Sequence, residues 1–491
     1  MLFNRHKYSR QNILDARFLK IPPLYQPALW IPLFTILLFT SFEANAGNRS
    51  QGHMISVKIA NCKDTLFYLN HYSVQGIMND DTAGRSPEGR FVFQGPDKLE
   101  AGMYFVSSNV NNRYFDFFIT NEQYLTFDFE LKNVIRTMKT SGSDENRKYF
   151  NSLLAMQSNL SPKNFVYSDS VQFLINHANF SDSTMQHLIG KSGPDLSFAE
   201  KYIRACISPA VFQQNFLPTN IKNKPDPTRF FLDHFFDNLD FSDYLLAGTP
   251  VFTNRIDAFI DTITSLHIDP LQAEVDRLLA LSSANKKTEE YVIWHLMSWF
   301  DTYYFLPEYD ALYIHMVNDF LETGKVAWFY PEVKAREFNE VKKRETLLDG
   351  KVGPNLEMRD TSGVFQQLYS VKSKYTLLLF WASTCSHCRD EMPAFIKFYN
   401  DFHQKYNLEI FGVSTDTSMT RWKSYVRRHK LPWVNVYGRK GILGNYHELY
   451  YVQSTPTLFL LDDKKKIIAK YLTPAEFSEI IINREKLYNK K

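Results

Sequence analysis

The segment TLLLFWASTCSHC, residues 376–388, joins an apolar run to two cysteines that are separated by two residues. A strand is predicted over Thr376–Phe380, and a helix is predicted to begin at the cysteines. The free N–H groups and the positive dipole at a helix N-terminus favour a thiolate over a thiol. The sequence therefore predicts that Cys385 is a nucleophile and that Cys388, one turn later, closes a disulfide with it.

Two other uses of such a cysteine pair are disfavoured. A zinc site normally needs a second pair of Cys or His ligands, but Cys62 and Cys206 are single and far away in the sequence. A structural disulfide between adjacent turns closes a loop too small to stabilise the fold much. No metal and no added cofactor are predicted, because the redox group is the Cys385–Cys388 disulfide itself. Cys62 and Cys206 are expected to be two separate buried thiols.

The chain around the cysteines alternates between strands and helices. Strands are predicted at Leu408–Ser414, Thr457–Leu461 and Lys466–Tyr471, and helices at Met419–His429 and Pro474–Lys486. Strands that alternate with helices are typical of an α/β layer fold. The C-terminal region is therefore predicted to form one α/β domain.

Several motifs of this region resemble the thioredoxin fold. They are Trp381 ahead of the cysteines, Pro393 in the following helix, and Thr455-Pro456-Thr457 before a strand. More narrowly, the opening Gly353-Pro354-Asn355-Leu356 and the turn Asp360-Thr361-Ser362-Gly363 are similar to the extracytoplasmic TlpA/ResA-type thiol-disulfide oxidoreductases. The resemblance covers residues 348–491 and implies a thioredoxin-like domain there.

The resemblance implies roles for individual residues. Cys385 is the attacking thiolate and Cys388 the resolving thiol, while Trp381, Thr455 and Pro456 position the substrate. Pro456 is the expected cis-proline, since the cis form costs little only before proline. The spacing alone also fits an ordinary trans proline in a turn.

Three neighbours of the cysteines are expected to tune their chemistry. Glu391 lies three residues after Cys388, so a helix puts both on one face, and the resemblance implies that Glu391 moves the proton of the resolving thiol. A solvated helix glutamate is the alternative. Ser386 and His387 fill the loop, and a histidine charge beside Cys385 makes the disulfide more oxidising. TlpA/ResA-type proteins are mostly reductases, so the direction of exchange stays open.

The other end of the chain has the pattern of a secretory signal. Residues 1–26 are basic, Trp30–Phe42 is apolar, and Ala44-Asn45-Ala46 has the small residues of a cleavage site. We therefore expect residues 1–46 to be a signal peptide and the protein to lie in the periplasm. An uncleaved segment anchored to the inner membrane is the alternative.

Length and patterning predict a multidomain protein. After the signal, residues 47–135 alternate like strands and predict an antiparallel β-sandwich or barrel, and residues 136–347 have helical spacing. Residues 348–491 form the thioredoxin-like domain. This order resembles larger TlpA-like proteins of Gram-negative bacteria. The net charge of +3 is too small to indicate a nucleic-acid partner.

These patterns predict an enzyme, a periplasmic thiol-disulfide oxidoreductase that acts through a mixed disulfide on Cys385, released by Cys388. Its expected partners are protein thiols and disulfides of the cell envelope, and a membrane electron donor or acceptor. A reductase is the first expectation, and a disulfide isomerase or oxidase is the alternative within this class. An envelope binding protein with a redox-sensing thioredoxin-like module is the alternative from another class.

Overall fold

The fold is described from a computed structural model, over residues 52–73, 76–110, 113–158, 196–216, 226–265, 271–303, 307–321, 323–324, 331–438 and 442–488. The expected signal peptide, residues 1–46, lies outside these residues. Among the described helices, none has the length and apolar character needed to cross a membrane.

Two four-stranded sheets form the N-terminal region. Their strands are β1 (His53–Ala60), β2 (Leu66–Ser73), β3 (Gly76–Gly84), β4 (Phe91–Gly95), β5 (Gly102–Ser107), β6 (Phe115–Ile119), β7 (Tyr124–Glu130) and β8 (Lys139–Ser141). The strand orders are β4-β1-β7-β8 and β3-β2-β5-β6. All neighbours are antiparallel except β1 and β7, which are parallel.

The two sheets pack face to face through aromatic side chains, which confirms the sandwich. The ring of Phe127 in β7 lies 5.0 Å from that of Phe115 and 4.8 Å from that of Phe117, both in β6. Alternate residues of a strand point to one face, so these side chains meet between the sheets. Strand β8 follows residue 135, where the sequence predicted the β-rich region to end.

The middle region is helical, as predicted. Five of its described helices, and the last helix of the chain, begin at a proline, where the missing N–H costs no hydrogen bond. These prolines are Pro209, Pro227, Pro250, Pro307, Pro331 and Pro474. The helices are α1 (Val134–Thr137), α2 (Asp144–Ser158), α3 (Phe198–Cys206), α4 (Pro209–Phe216), α5 (Pro227–Asp233), α6 (Tyr244–Ala247), α7 (Pro250–Ser265), α8 (Leu271–Ser282), α9 (Lys286–Thr302), α10 (Pro307–Met316) and α11 (Pro331–Glu345).

The β-rich and helical regions share one hydrophobic core. At their junction, the ring of Phe118 in β6 lies 4.8 Å from that of Tyr149 in α2 and 5.0 Å from that of Phe198 in α3. Cys62 and Cys206 are both buried in this core and are not joined in a disulfide, as predicted. The two regions therefore pack around one continuous core and do not form separate ones.

The C-terminal domain is a seven-stranded sheet with helices, the predicted α/β thioredoxin-like architecture. Its strands run in the order β10-β9-β13-β12-β11-β14-β15. The elements are β9 (Glu357–Asp360), β10 (Phe365–Gln367), β11 (Tyr375–Trp381), α12 (Ser386–Tyr406), β12 (Leu408–Ser414), α13 (Met419–His429), β13 (Val434–Tyr437), α14 (Tyr446–Leu449), β14 (Thr457–Leu461), β15 (Ile467–Lys470) and α15 (Pro474–Tyr488).

Strand β11 is buried along its whole length. Leu377 and Leu379 pack into the core on one face of the sheet, and Leu378 and Phe380 into the core on the other. The strand pairs in parallel with β12 and antiparallel with β14. Because both faces and both edges of β11 are covered, the point at which the chain leaves the sheet toward Cys385 is fixed.

Buried charges join the helical region to the C-terminal domain. Arg344 in α11 donates to Asp310 in α10 at 3.3 Å and to the hydroxyl of Tyr451 at 3.1 Å. It also forms an ion pair with Asp301. Lys470 in β15 donates to the other oxygen of Asp310. Paired charges at a buried junction resist separation, because each group would be left unpaired.

Candidate active site

Cys385 lies at the N-cap of α12 and is partly exposed. Its sulfur accepts a hydrogen bond from the backbone N–H of Cys388 at 3.2 Å. The Cys385 thiol also donates to the carbonyl oxygen of Thr455 at 3.3 Å. The first contact suits a thiolate as well as a thiol, whereas the second needs the S–H proton. Loss of that proton therefore frees the sulfur from Thr455 while the helix N–H still stabilises its charge.

Cys388 has the opposite environment. Its side chain is 0 % exposed, and it packs with Met392 and Trp381 in the core under α12. Burial, with a smaller contribution from the neighbouring sulfur of Cys385, raises the pKa of the Cys388 thiol to about 12. The pair thus combines an accessible sulfur with a buried thiol that keeps its proton near neutral pH.

The Thr455–Pro456 peptide bond is cis, as predicted. Both residues are half-buried, while Gln453 and Ser454 before them are exposed. The carbonyl oxygen of Thr455 faces the sulfur of Cys385. The cis-proline segment therefore borders the accessible cysteine, with two exposed residues before it.

The three expected tuning residues surround the pair. Glu391 is half-buried, and burial raises its pKa above the ordinary value of 4.5, with a smaller rise from Asp390 and an opposing effect of His387. Burial would not raise the pKa of a fully solvated glutamate, so the surroundings of Glu391 differ from those of a solvated helix glutamate. Ser386 and His387 are exposed in the first turn of α12. Their roles in exchange stay predictions.

Trp381 requires a correction. The family resemblance implied that Trp381 positions the substrate, but its side chain is 0 % exposed. It belongs to the core that includes Cys388, and its ring lies 5.3 Å from that of Tyr425 in α13. A fully covered indole does not contact a substrate, so Trp381 supports the cysteine segment by packing beneath it.

Asp416 is a site residue that the sequence analysis missed. One of its oxygens accepts from the backbone N–H of Ser383 at 2.8 Å and from the hydroxyl of Ser414 at 2.9 Å. The other accepts from the hydroxyl of Ser383 at 2.8 Å. Asp416 is buried, so it anchors the turn that leads to the cysteines. The position of Asp416 just after β12 could have indicated its role, because the carboxyl ends of the parallel strands β11 and β12 lie at the same edge of the sheet.

The described residues contain no group of three or more His, Cys, Asp or Glu side chains arranged to hold a metal ion. A cavity of about 580 Å³ is lined by Tyr369, Lys374 and Asn407 among others. Lys374 precedes the first residue of β11, whereas the cysteines follow its last residue. The cavity thus lies at the opposite end of the strand from the cysteine site.

A thioredoxin-like sheet with an exposed cysteine at a helix N-terminus, a buried partner cysteine and an adjacent cis-proline defines the class of thiol-disulfide oxidoreductases. Comparison with known proteins leads to the same class. A family model described as AhpC/TSA family matches residues 350–470. A second model, described as a domain of unknown function (DUF5106), matches residues 177–343.

Curated relatives cover the C-terminal quarter of the chain. The thioredoxin-like protein YneN of Bacillus subtilis is 31% identical over 126 residues, which are 25% of this chain and 71% of the relative. The thiol-disulfide oxidoreductase ResA of Bacillus cereus is 30% identical over 131 residues, 26% of this chain and 72% of the relative. Through this domain the chain belongs to the thioredoxin-like thiol-disulfide oxidoreductases.

Solved structures from other bacteria are also similar. The thioredoxin domain of a thiol-disulfide oxidoreductase from Bacteroides vulgatus has 32% identity and a TM-score of 0.24, covering 27% of this chain and 97% of its own. A thioredoxin-like protein from Bacteroides caccae has 18% identity and a TM-score of 0.45, covering 54% of this chain and 97% of its own.

Proposed function

We propose that Cys385 and Cys388 form the redox centre of a periplasmic reductase of protein disulfides. The observation that carries the proposal is the contrast between the two sulfurs. Cys385 is accessible and receives a helix N–H at 3.2 Å, while Cys388 is fully buried. An accessible thiolate attacks a substrate, and a buried thiol reacts only with its neighbour.

The proposed reaction has two exchanges. The thiolate of Cys385 attacks one sulfur of a substrate disulfide, forming a mixed disulfide and releasing the other substrate sulfur as a thiolate. Cys388 then loses its proton and attacks the sulfur of Cys385, which releases the second substrate thiolate. Two electrons pass to the substrate and the protein is left with a Cys385–Cys388 disulfide. A membrane electron donor would restore the dithiol.

Glu391 is proposed to accept the Cys388 proton in the second exchange. The pKa of the Cys388 thiol is about 12, so the thiol needs a base to react near neutral pH. Glu391 is one helical turn away and half-buried, and its pKa is raised by burial. A partly desolvated carboxylate is a stronger base than an exposed one.

The redox potential distinguishes a reductase from the alternatives, an isomerase or an oxidase. The exposed His387 beside Cys385 supports the alternatives, because its charge would stabilise the reduced state. We would equilibrate the protein with glutathione and follow the Cys385–Cys388 pair by alkylation and mass spectrometry. A potential near about −270 mV supports the reductase, and one near about −180 mV or higher supports the isomerase or oxidase.

Trapping tests the roles of the two sulfurs. Cys388→Ala is expected to accumulate a mixed disulfide with a disulfide-containing protein such as insulin, because nothing releases it. Cys385→Ala is expected to form none. Cys206→Ala is the matched control, since that cysteine is buried in the helical region and should leave turnover unchanged. Equal trapping by the Cys385 and Cys388 variants would contradict the assigned order.

The periplasmic location rests on the pattern of residues 1–46. A fusion of these residues to alkaline phosphatase, which is active only after export, tests it. An active fusion supports export, and an inactive one overturns the location while leaving the exchange chemistry in place. Cleavage after Ala46, read by N-terminal sequencing of the mature protein, separates a released protein from an anchored one.

A further inference from the structure

Helix α13 is strongly basic. Met419–His429 contains Arg421, Lys423, Arg427 and Arg428 and no acidic residue. All three arginines are exposed and the lysine is half-buried. Among the described residues, Lys and Arg side chains form two ion pairs within the C-terminal domain, Lys374–Glu485 and Lys397–Asp401. Neither pair involves a residue of α13. The charges of α13 are therefore uncompensated within the described part of the domain.

The basic helix adjoins the cysteine site through Tyr425. The ring of Tyr425 lies 5.3 Å from that of Trp381, the residue at the end of β11. Burial raises the pKa of Tyr425, while the charge of Arg389 lowers it and that of Cys388 raises it. Arg389 itself is one turn after Cys385 and is exposed. Tyr425 thus connects α13 to the first turns of α12.

Helical spacing places several basic residues on the face of α13 that carries Tyr425. Arg421 lies four residues before Tyr425, and Arg428 and His429 lie three and four residues after it. The rings of Tyr425 and His429 are 4.1 Å apart. We call Arg389, Arg421, Arg428 and His429 the basic surface.

Two carboxyl groups lie near the basic surface, on the helix that carries Arg389. Asp390 is exposed, whereas Glu391 is half-buried with a raised pKa. Arg389, Arg421 and Arg428 outnumber these two carboxyl groups, so the surface has an excess of positive charge. Arg389 brings this charge within one helical turn of Cys385.

We propose that the basic surface docks an acidic segment of the protein that exchanges disulfides with Cys385. This inference rests on the proposed function and adds the chemistry of the partner. Guanidinium groups bind carboxylates in pairs of hydrogen bonds, and an oppositely charged surface beside a reactive group raises the encounter rate. A protein partner is favoured over an anionic membrane, because a partner that reaches this surface also reaches the accessible sulfur of Cys385.

The test compares three substrates of the full chain: a disulfide peptide flanked by Asp and Glu, the same peptide flanked by Asn and Gln, and hydroxyethyl disulfide. Second-order rate constants are measured between low and high salt. We expect the acidic peptide to react about tenfold faster than the neutral one at low salt, with the difference shrinking as salt screens the charges.

The variant Arg421→Glu with Arg428→Glu should remove this preference and leave the rate with hydroxyethyl disulfide unchanged. The matched control is Lys63→Glu with Lys132→Glu, which makes the same change of net charge at exposed positions of the N-terminal region. That control should keep the preference.

The outcomes separate the two proposals. Normal reaction of hydroxyethyl disulfide without any preference for the acidic peptide overturns the docking surface and leaves the proposed function intact. No reaction with any substrate overturns the proposed function as well. If the unmodified protein reacts equally with both peptides but binds phosphatidylglycerol vesicles, and the α13 variant loses that binding, the surface binds lipid and the protein-docking proposal is wrong.

Discussion

Lys470 in the last strand of the C-terminal sheet forms an ion pair with Asp310 of the helical region, across 160 positions of the sequence, with a distance of 2.5 Å between Nζ and Oδ2. Both side chains are 1 % exposed. Lys470 also donates to the carbonyl oxygen of Leu347 at 3.0 Å. The helical region is therefore fixed on the thioredoxin-like domain by a buried charge network, which also includes Arg344.

Removal of the shared carboxylate should be costly. Asp310→Ala leaves Lys470 and Arg344 buried without this partner, and we expect a loss of about 3–5 kcal/mol in the free energy of unfolding. The measurement is urea unfolding followed by circular dichroism. Asp401→Ala is the control, because its pair with Lys397 is exposed (49 % and 76 %) and should be worth less than about 1 kcal/mol. Equal losses for both variants would contradict the role of the junction.

Alkylation should distinguish the two cysteines of the site. The reduced protein treated briefly with iodoacetamide at pH 8 should be labelled at Cys385 and not at Cys388, because Cys388 is buried and its pKa is about 12. Labelling of Cys388 should appear only when urea opens the fold. Peptide mass spectrometry reads both sites, and early labelling of Cys388 in the folded protein would show that the assigned environment is wrong.

Glu391→Gln should slow exchange while stabilising the protein at neutral pH. Burial raises the folded pKa of Glu391 above 4.5, so the proton on this group stabilises the fold fully below pH 4.5. That contribution is lost as the pH rises through the raised folded pKa. Gln has no such loss, so the melting temperature of the variant should exceed that of the parent at pH 7 more than at pH 4.

The same variant should also change the pH profile of turnover. If Glu391 accepts the proton of Cys388, the rise of activity that follows its ionisation should disappear in Glu391→Gln. Asp390→Asn is the matched control on the neighbouring exposed position, and its profile should keep the rise. A Glu391→Gln profile that parallels the parent would remove Glu391 from the proton path.

Asp416→Asn should disturb the turn before the cysteines. The carboxylate accepts from Ser383 twice and from Ser414 once, and an amide replaces one acceptor oxygen by a donor. We expect a loss of about 1–3 kcal/mol and a slower reaction of Cys385 with hydroxyethyl disulfide. Ser383→Ala removes a single donor, so it should have a smaller effect on the free energy of unfolding and on the reaction rate of Cys385. An unchanged rate for Asp416→Asn would limit Asp416 to a structural role.

The fold of the C-terminal domain was predictable because its elements carry strong local signals. The predicted strands Leu408–Ser414 and Thr457–Leu461 and the predicted helix Met419–His429 have the bounds of β12, β14 and α13. The two strands are mainly apolar runs, and the helix is polar with a regular apolar face. Such patterns specify the local structure strongly. Strand β13 was not predicted, since Val434–Tyr437 has only four residues, at the short limit for recognising a strand from its pattern.

In the N-terminal region, local sequence patterns predicted fewer of the strands and pairings. Strand β3, Gly76–Gly84, is mostly polar and exposed, so it lacks the alternation that marks a half-buried strand. The parallel pairing of β1 with β7 joins segments about 70 residues apart, and no local pattern specifies that choice. Partner selection between distant strands depends on how both sheets close around one core.

The sequence by itself determined where the two cysteines lie, since a position after a buried strand and at a helix start depends only on local geometry. The cis-proline at Pro456 was expected from the family resemblance, whereas the spacing alone also allowed a trans proline. Only the tertiary structure decided that Trp381 is covered, that Asp416 anchors the turn, and that Asp310 meets Lys470. Those facts depend on contacts between residues distant in the chain, and burial of a side chain is a property of everything packed around it.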